Sequence, residues 1–449
     1  WSKTPWETRV AVMKKAAHLV SGRFRSTMNA ATMLGTGKSV YQAEIEAVCE
    51  LTDFLNFNSE YLYHIYGEQP LYSPAGIWNR LEHRPLEGFV FAATPFNFVA
   101  ISGNLPTSPA LMGNVTLWKP ASSAVYPAFH FFRILQAAGL PDGVINFIPG
   151  PGSRIGPVVL NDENLAGVHF TGSASTFQHI WRSVGQNIDK YKNYPRIVGE
   201  TGGKDFIVVH ESASVEATVA AIVRGAFEYQ GQKCSAVSRV YLPRVLFEEI
   251  RDKTLEEVKT IKMGDVEDFS NFMNSVIDRE AFDKIKGYLD FAKEAPDAQI
   301  LAGGETDDSV GYFIEPTVIV TDNPYFKTMK EEIFGPVVTF YVYETDFEEA
   351  LHLCDQTSPY GLTGAVFARD RKAIDKAAQI LTYAAGNFYI NDKPTASVVG
   401  QQPFGGARAS GTNDKAGSPF NLMRWVSPRA IKENFDPPRD YRYPFLKEP

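Results

Sequence analysis

The sequence predicts an α/β protein with two parallel-sheet domains, and three observations carry that reading. From residue 88 onward, short apolar runs alternate with stretches of helical periodicity. In the first series, four of the five runs end in a glycine, a proline or a polar loop. The chain has 449 residues, which as a prior suits two to four domains. Such alternation is the mark of parallel strands joined by right-handed helical crossovers. Ligands on such sheets bind beyond the carboxyl ends of the strands.

The elements follow in order. A helix opens almost at once, with Thr4 expected as its N-cap and Pro5 as its first residue. Val10, Met13, Ala17 and Val20 form its apolar stripe. Because the chain starts at Trp1 directly at this helix, it reads as a fragment preceded by further residues. A second amphipathic helix is expected over 42–55, with Ile45, Val48, Leu51 and Leu55 on one side. The first strand series is Phe89–Ala93, Val115–Trp118, Val144–Ile148, Val168–Phe170 and Ile197–Gly199. The second is Phe206–Val209, Val240–Leu242, Ile300–Leu301, Phe313–Val320, Val337–Tyr343, Ala365–Ala368 and Phe388–Ile390. Helices near 214–228, 244–260, 280–294 and 370–383 separate them, giving a second α/β domain at about 205–397. The tail, rich in Pro, Arg and aromatics, has no core-forming period and is expected to pack on another domain or subunit.

Composition narrows the function. Hydrophobic residues make up 44% and charged residues 21%, which argues against disorder. The 44 basic and 52 acidic residues leave a net charge of -8. That argues against a partner that is nucleic acid or an anionic membrane. The longest apolar run, Gly88 to Gly103, is broken by Thr94, Pro95 and Asn97 and is too short to span a bilayer. Three scattered cysteines form neither a disulfide framework nor a zinc site, so a reducing compartment is expected. The eight histidines lack metal-ligand spacing, and no metal is expected. His169 and His210 are read as structural.

Several motifs invite a functional reading. Gly35-Thr-Gly-Lys-Ser39 imitates a phosphate loop, but Thr32 stands where the motif needs glycine and no strand precedes it. Gly150-Pro-Gly-Ser-Arg-Ile-Gly156 follows a strand and opens a helix, so its backbone could approach a nucleotide. The sequon at Asn114 lies in an apolar strand, which argues against glycan attachment. Cys49 and Cys354 lie in helices beside apolar neighbours and read as inert packing residues. Cys234 differs, because it follows an amphipathic helix in a polar stretch beside Lys233, whose charge would favour the reactive thiolate. A thiolate attacking a carbonyl needs an oxyanion donor and a base for water. Asn97 and Glu200, both at expected strand ends, could supply them; each alone is more often a turn or cap.

At these residues the chain resembles the aldehyde dehydrogenase superfamily along essentially its whole length. The matching blocks are Pro-Phe-Asn-Phe (95–98), Trp-Lys-Pro (118–120), Phe-Thr-Gly-Ser (170–173), Glu-Thr-Gly-Gly-Lys (200–204), Gly-Gln-Lys-Cys (231–234), Glu-Glu-Ile-Phe-Gly-Pro-Val (331–337) and Pro-Phe-Gly-Gly (403–406). Their order and the 34-residue step from Glu200 to Cys234 also fit. Within the superfamily, Gln42–Ile45, Ala110–Asn114, Ala384–Lys393 and Gly400–Asp414 resemble the mitochondrial-type branch that oxidises glutamate-γ-semialdehyde.

The resemblance implies an aldehyde dehydrogenase-like fold. A Rossmann-type NAD-binding domain would span 1–204 and 398–420, with part of an oligomerisation element near 70–88. The catalytic domain would be 205–397, and 421–449 would complete the oligomerisation element. It implies Cys234 as nucleophile, Asn97 as oxyanion donor and Glu200 as the base that releases the acid. NAD would be the cofactor. Lys119 and Ser122 would meet its adenosine ribose, and Gly172 and Ser173 its pyrophosphate at a helix N-terminus. Glu332 would hold the nicotinamide ribose beside Phe334. The substrate would be a small amino acid aldehyde, sandwiched by Phe98 and Phe404. Its amine would face Glu44, and its carboxylate would meet Ser235, Ser397 and the backbone at Ala396, with Lys233 beside it. Many relatives have Gly at the position of Ala396. A homodimer or higher homo-oligomer in the mitochondrial matrix is implied, or otherwise the cytoplasm.

Other classes stay open at this point. A thiol hydrolase could use Glu200, Lys233 and Cys234, but it leaves Glu332 and the Lys119 block without a role. A non-catalytic nucleotide binder would not need Cys234, Asn97 and Glu200 together. Another aldehyde dehydrogenase, such as one for succinate semialdehyde, keeps the chemistry and changes the substrate.

Overall fold

The computed structural model describes residues 1–344 and 346–446. Two open sheets organise the chain. The first has five strands in the order Ile145–Phe147, Val115–Lys119, Phe89–Ala93, Leu165–Thr171 and Arg196–Glu200. All its neighbouring pairs are parallel. The second has seven, in the order Asn387–Ile390, Thr363–Phe367, Asp205–Val209, Val237–Pro243, Val337–Tyr343, Thr317–Thr321 and Ala298–Ala302. Its pairs are parallel except the last, at the edge. Strands covered on both faces must be apolar throughout. Asp205–Val209 and Thr363–Phe367 are accordingly buried at every residue.

The two-sheet reading therefore agrees with the structure, and three local readings do not. The expected strand Phe313–Val320 is split, because Pro316 cannot donate a ladder hydrogen bond. Phe313–Ile314 pairs with Thr306–Asp307, and Thr317–Thr321 joins the main sheet. The first helix runs Trp6–Ser21 with Pro5, not Thr4, at the cap. The Pro5 carbonyl accepts from the Thr8 and Arg9 N–H groups. The second amphipathic helix extends to Gly67 and contains a π-helical stretch, Glu44–Glu50. Ahead of it lies a further helix, Arg25–Thr36, that the pattern did not reveal.

The tail is also more integrated than expected. Leu422, Trp425 and Val426 are fully buried in the core around the first sheet. Val426–Asn434 then pairs antiparallel with Ile77–Pro85 across nine positions. This two-stranded ribbon and its flanks expose Leu71, Tyr72, Trp78, Phe435 and Phe445.

Candidate active site

The site is assembled from strand ends and one tight turn. Glu200 closes the strand Arg196–Glu200. Asn97 lies in the loop between the strand Phe89–Ala93 and the helix Val99–Leu111. Cys234 follows the helix Val215–Phe227 and precedes the strand Val237–Pro243. Before it, Tyr229, Gln230 and Gly231 take left-handed φ values of 52°, 56° and 66°. Glycine is required at 231, since a Cβ there would stand 2.2 Å from the Gly335 carbonyl oxygen. Side chains hold this strained turn. Tyr229 Oη donates to the Thr36 carbonyl at 2.9 Å, and Gln230 Nε2 donates to the carbonyls of Gly37 and Ser275. The buried Asn97 Nδ2 donates to the Gln232 carbonyl at 3.1 Å, which joins the two walls.

Two cavities share Cys234, together with Phe170 and Thr171. The smaller, of about 240 Å³, is lined by Phe98, Glu200, Lys233, Ser235, Ala396, Ser397 and Phe404 among others. The larger, of about 980 Å³, is lined by Asn97, Lys119, Ser122, Gly172, Ser173, Glu332 and Phe334 among others. The volumes suit a small molecule on one side of the thiol and an extended ligand on the other. Of the expected site residues, Glu44 lines neither cavity. It pairs with Arg25 and accepts from Asn29 Nδ2 at 2.5 Å, on the side of the helix Arg25–Thr36. Within the same helix, Gln42, Glu46 and Glu50 face the smaller cavity instead. The signal for them was a polar line at four-residue spacing inside an otherwise apolar face.

Burial dominates the electrostatics. It raises the Cys234 thiol well above the ordinary cysteine range, and Asp205, Glu332 and Glu200 push the same way. The expectation that Lys233 favours the thiolate is thereby corrected. The Lys233 ammonium is tied to Glu228 at 3.0 Å, and both side chains are buried. Glu200 is likewise raised by burial, and Asp414 adds to this. The Gly406 N–H, 3.3 Å from its Oε2, and the Lys415 charge oppose the shift. Lys415 Nζ is itself fixed by the carbonyls of Gly386 and Gly405, both at 2.8 Å. Burial lifts Glu50 to about 8, helped by Glu46 and opposed by Lys38 and Lys233.

The larger cavity has the features a dinucleotide requires. Ser173 caps the helix Ala174–Gln186, and Ser173, Ser175 and Thr176 at that N-terminus all line the cavity. Gly152, Ser153 and Gly156 of the glycine-containing motif line it too. Lys119 is half-buried, and burial lowers its pKa. Glu332 accepts from the Gly203 N–H at 3.0 Å. In this position its Oε2 would stand 2.0 Å from a Cβ at residue 202, which is glycine. Phe334, at φ 63°, meets Phe96 edge-on with centroids 5.8 Å apart.

The remaining motifs resolve structurally. Lys38 of the Gly-Thr-Gly-Lys stretch is buried beside Glu46, away from solvent. Asn114 Nδ2 donates to the carbonyls of Pro109 and Trp425 inside the core. His169 is buried against the Leu105 carbonyl, and burial lowers it to about 3. Cys354 is buried as expected, whereas Cys49 is exposed rather than packed. Among the described residues, no helix is long and apolar enough to cross a membrane. No cluster of His, Cys, Asp and Glu among them could hold a metal ion.

The sequence profile of the aldehyde dehydrogenase family matches residues 1–431. The chain belongs to the aldehyde dehydrogenase family. It is 54% identical over 452 residues to the mitochondrial delta-1-pyrroline-5-carboxylate dehydrogenase of Dictyostelium discoideum, spanning 100% of this chain and 81% of that protein. The mitochondrial enzyme of that name from Bos taurus is 51% identical over 449 residues, covering 100% and 80%. A crystal structure of the delta-pyrroline-5-carboxylate dehydrogenase from Mycobacterium tuberculosis bound with NAD superposes with a TM-score of 0.95. It is 51% identical and covers 99% of this chain and 82% of its own. The Thermus enzyme with bound NAD gives 0.91 at 32% identity, covering 97% and 83%.

Proposed function

We propose that this aldehyde dehydrogenase oxidises L-glutamate-γ-semialdehyde, the open form of 1-pyrroline-5-carboxylate, to L-glutamate with NAD, the second step of proline catabolism. The observation that carries the reading is the pair of cavities meeting at Cys234, one small and charged, one extended and dinucleotide-like. Relatives of that name at 50% identity and above support the substrate. Cys234 gives up its thiol proton to solvent and attacks the aldehyde carbon as the thiolate, and the Asn97 amide and the Cys234 N–H receive the oxyanion. NAD, when bound, supplies the hydride acceptor. Lys119, Ser122, Gly172, Ser173, Glu332 and Phe334 would hold it. Glu200 takes a proton from water, which cleaves the thioester and releases the acid.

Glu50 takes the part expected of Glu44, facing the substrate ammonium. Ser235, Ser397, the Ala396 backbone and Lys233 receive the carboxylate, and Phe98 and Phe404 flank the chain between them. Residues 1–204 with 398–420 form the NAD-binding domain, and 205–397 the catalytic domain. The ribbon Ile77–Pro85 with Val426–Asn434, with Trp78 exposed on it and Leu71, Tyr72 and Phe435 exposed beside it, is the element for a homodimer or higher homo-oligomer. The mitochondrial matrix is the compartment, following the mitochondrial relatives.

The test is NADH formation with glutamate-γ-semialdehyde, succinate semialdehyde and propanal. The semialdehyde of glutamate should give the highest kcat/KM. A higher value with succinate semialdehyde would move the assignment to that substrate.

Two substitutions probe the anchors. Ser397 Oγ donates to the Gln402 carbonyl at 2.8 Å and lines the cavity. Ser397→Ala should raise KM for the glutamate semialdehyde roughly tenfold, the worth of one hydrogen bond to a charged group, and leave KM for propanal unchanged. Equal changes would exclude the anchor. For Glu50 the sign follows from its raised pKa. Below about 8 it is protonated in the empty site and binds an ammonium weakly. KM for the amino acid aldehyde should therefore fall as pH rises towards 8. In Glu50→Gln that fall should vanish; its persistence would assign the titration elsewhere.

A further inference from the structure

The Gly35-Thr-Gly-Lys-Ser39 stretch buries its lysine rather than presenting it as a phosphate loop would, and that lysine occupies an unusual place. Lys38 has no exposed side-chain surface, and its Nζ lies 2.8 Å from Glu46 Oε1, itself 2% exposed. A buried pair of this kind carries a large desolvation cost, so its retention calls for another reason. The surroundings supply one. The same Nζ lies 4.3 Å from the centroid of the Phe98 ring and 4.4 Å from that of Tyr229. Phe98 lines the substrate cavity and directly follows Asn97. Tyr229 is the first of the three left-handed residues that lead to Cys234. The other oxygen of Glu46 accepts from the Ala100 N–H at 3.0 Å, near the start of the helix that follows Phe98. That helix start has no side-chain cap of its own.

We propose that Lys38 is a positioning residue: held by Glu46 between the rings of Phe98 and Tyr229, its ammonium fixes the Asn97–Phe98 wall against the turn that carries Cys234. The cation attracts both ring faces at once, which apolar packing alone would do without direction. Tyr229 Oη and Gln230 Nε2 anchor the turn to Thr36 and Gly37, immediately before the lysine, so one short segment braces it at three points. Lys38 touches neither substrate nor cofactor, and it lines neither cavity.

This inference rests on Cys234 as the nucleophile, and the wild-type assay tests that separately. Lys38→Met alone would strand a buried carboxylate, so the informative protein is the double variant Lys38→Met/Glu46→Gln, which removes both charges. It should lose kcat at least roughly tenfold with both glutamate-γ-semialdehyde and propanal, as expected for a displaced reacting group. Its affinity for NAD, read by fluorescence titration, should match wild type. Tyr229→Leu, which keeps the ion pair but removes both the ring and the Oη hydrogen bond to Thr36, should show the same split between kcat and NAD affinity, whereas Tyr229→Phe, which keeps the ring and loses only that hydrogen bond, should stay near wild type. Wild-type kcat in the double variant or in Tyr229→Leu overturns the proposal. So does a loss confined to the amino acid aldehyde, which would make the pair an electrostatic feature of the substrate pocket. If the double variant does not fold, the contrast of Tyr229→Leu with Tyr229→Phe decides, and an equal loss in both overturns the proposal. A wild type inactive on every aldehyde would instead strike at the nucleophile itself.

Discussion

Cys234→Ala should lower aldehyde-dependent NADH formation by roughly 10⁴-fold or more, because no other group can form the covalent intermediate. The substitution removes a single sulfur atom at the junction of the two cavities. Melting temperature and NAD affinity should both remain close to wild type. Cys49→Ser is the matched control, since Cys49 is exposed and lines neither cavity. Substantial turnover by the alanine variant would remove Cys234 from the mechanism. The wild-type rate should also climb with pH, because burial and three carboxylates keep the thiol protonated well above its ordinary range.

Glu200→Gln separates the two halves of the reaction. Attack and oxidation do not need the carboxylate as a base, whereas release of the acid does. A rapid-mixing experiment should show a burst of NADH close to one per active site. The following steady state should be slower by about 10² to 10⁴, the usual contribution of a general base. A wild-type steady state with no burst would assign deacylation to another group. The variant carries a second signature, in stability. A carboxyl whose folded pKa is raised binds its proton more tightly in the native state than in the unfolded chain. The native state therefore loses stability as pH rises from the ordinary carboxylate range through the raised value. Neutral glutamine has no such term. Glu200→Gln should thus hold its melting temperature better than wild type on the alkaline side.

The sheets were legible because their strands are covered on both faces. Such strands read as continuous apolar runs between turn residues, and Phe89–Ala93 and Val337–Tyr343 coincide with their expected limits. The helix over 42–55 was legible as amphipathic, but its π-helical stretch was not. One extra residue in a turn changes which side chains share a face. Glu44 thus points to Arg25, while Glu46 and Glu50 point inwards. The proposed catalytic trio could be named from motifs, since each member sits at a strand end or a turn. Charge pairing could not. Adjacency in sequence placed Lys233 beside the thiol, but its ammonium reaches back five residues to Glu228. Buried partners such as Lys38 and Glu46 depend on tertiary packing, and the apparent phosphate motif concealed theirs.

The ribbon has a consequence for the order of events during synthesis. Ile77 pairs with Asn434 and Pro85 with Val426, and Asn114 is tied to the Trp425 carbonyl. The core around the first sheet, whose strands all precede residue 201, therefore awaits residues 422–434 to close. The second sheet has all its strands between residues 205 and 390. Once residue 390 has cleared the ribosome, the second sheet has all its strands while the core around the first sheet still lacks Leu422, Trp425 and Val426. That reverses the usual N-terminus-first sequence for multidomain chains. Until Trp425 emerges, the apolar surface destined for it remains open to chaperones.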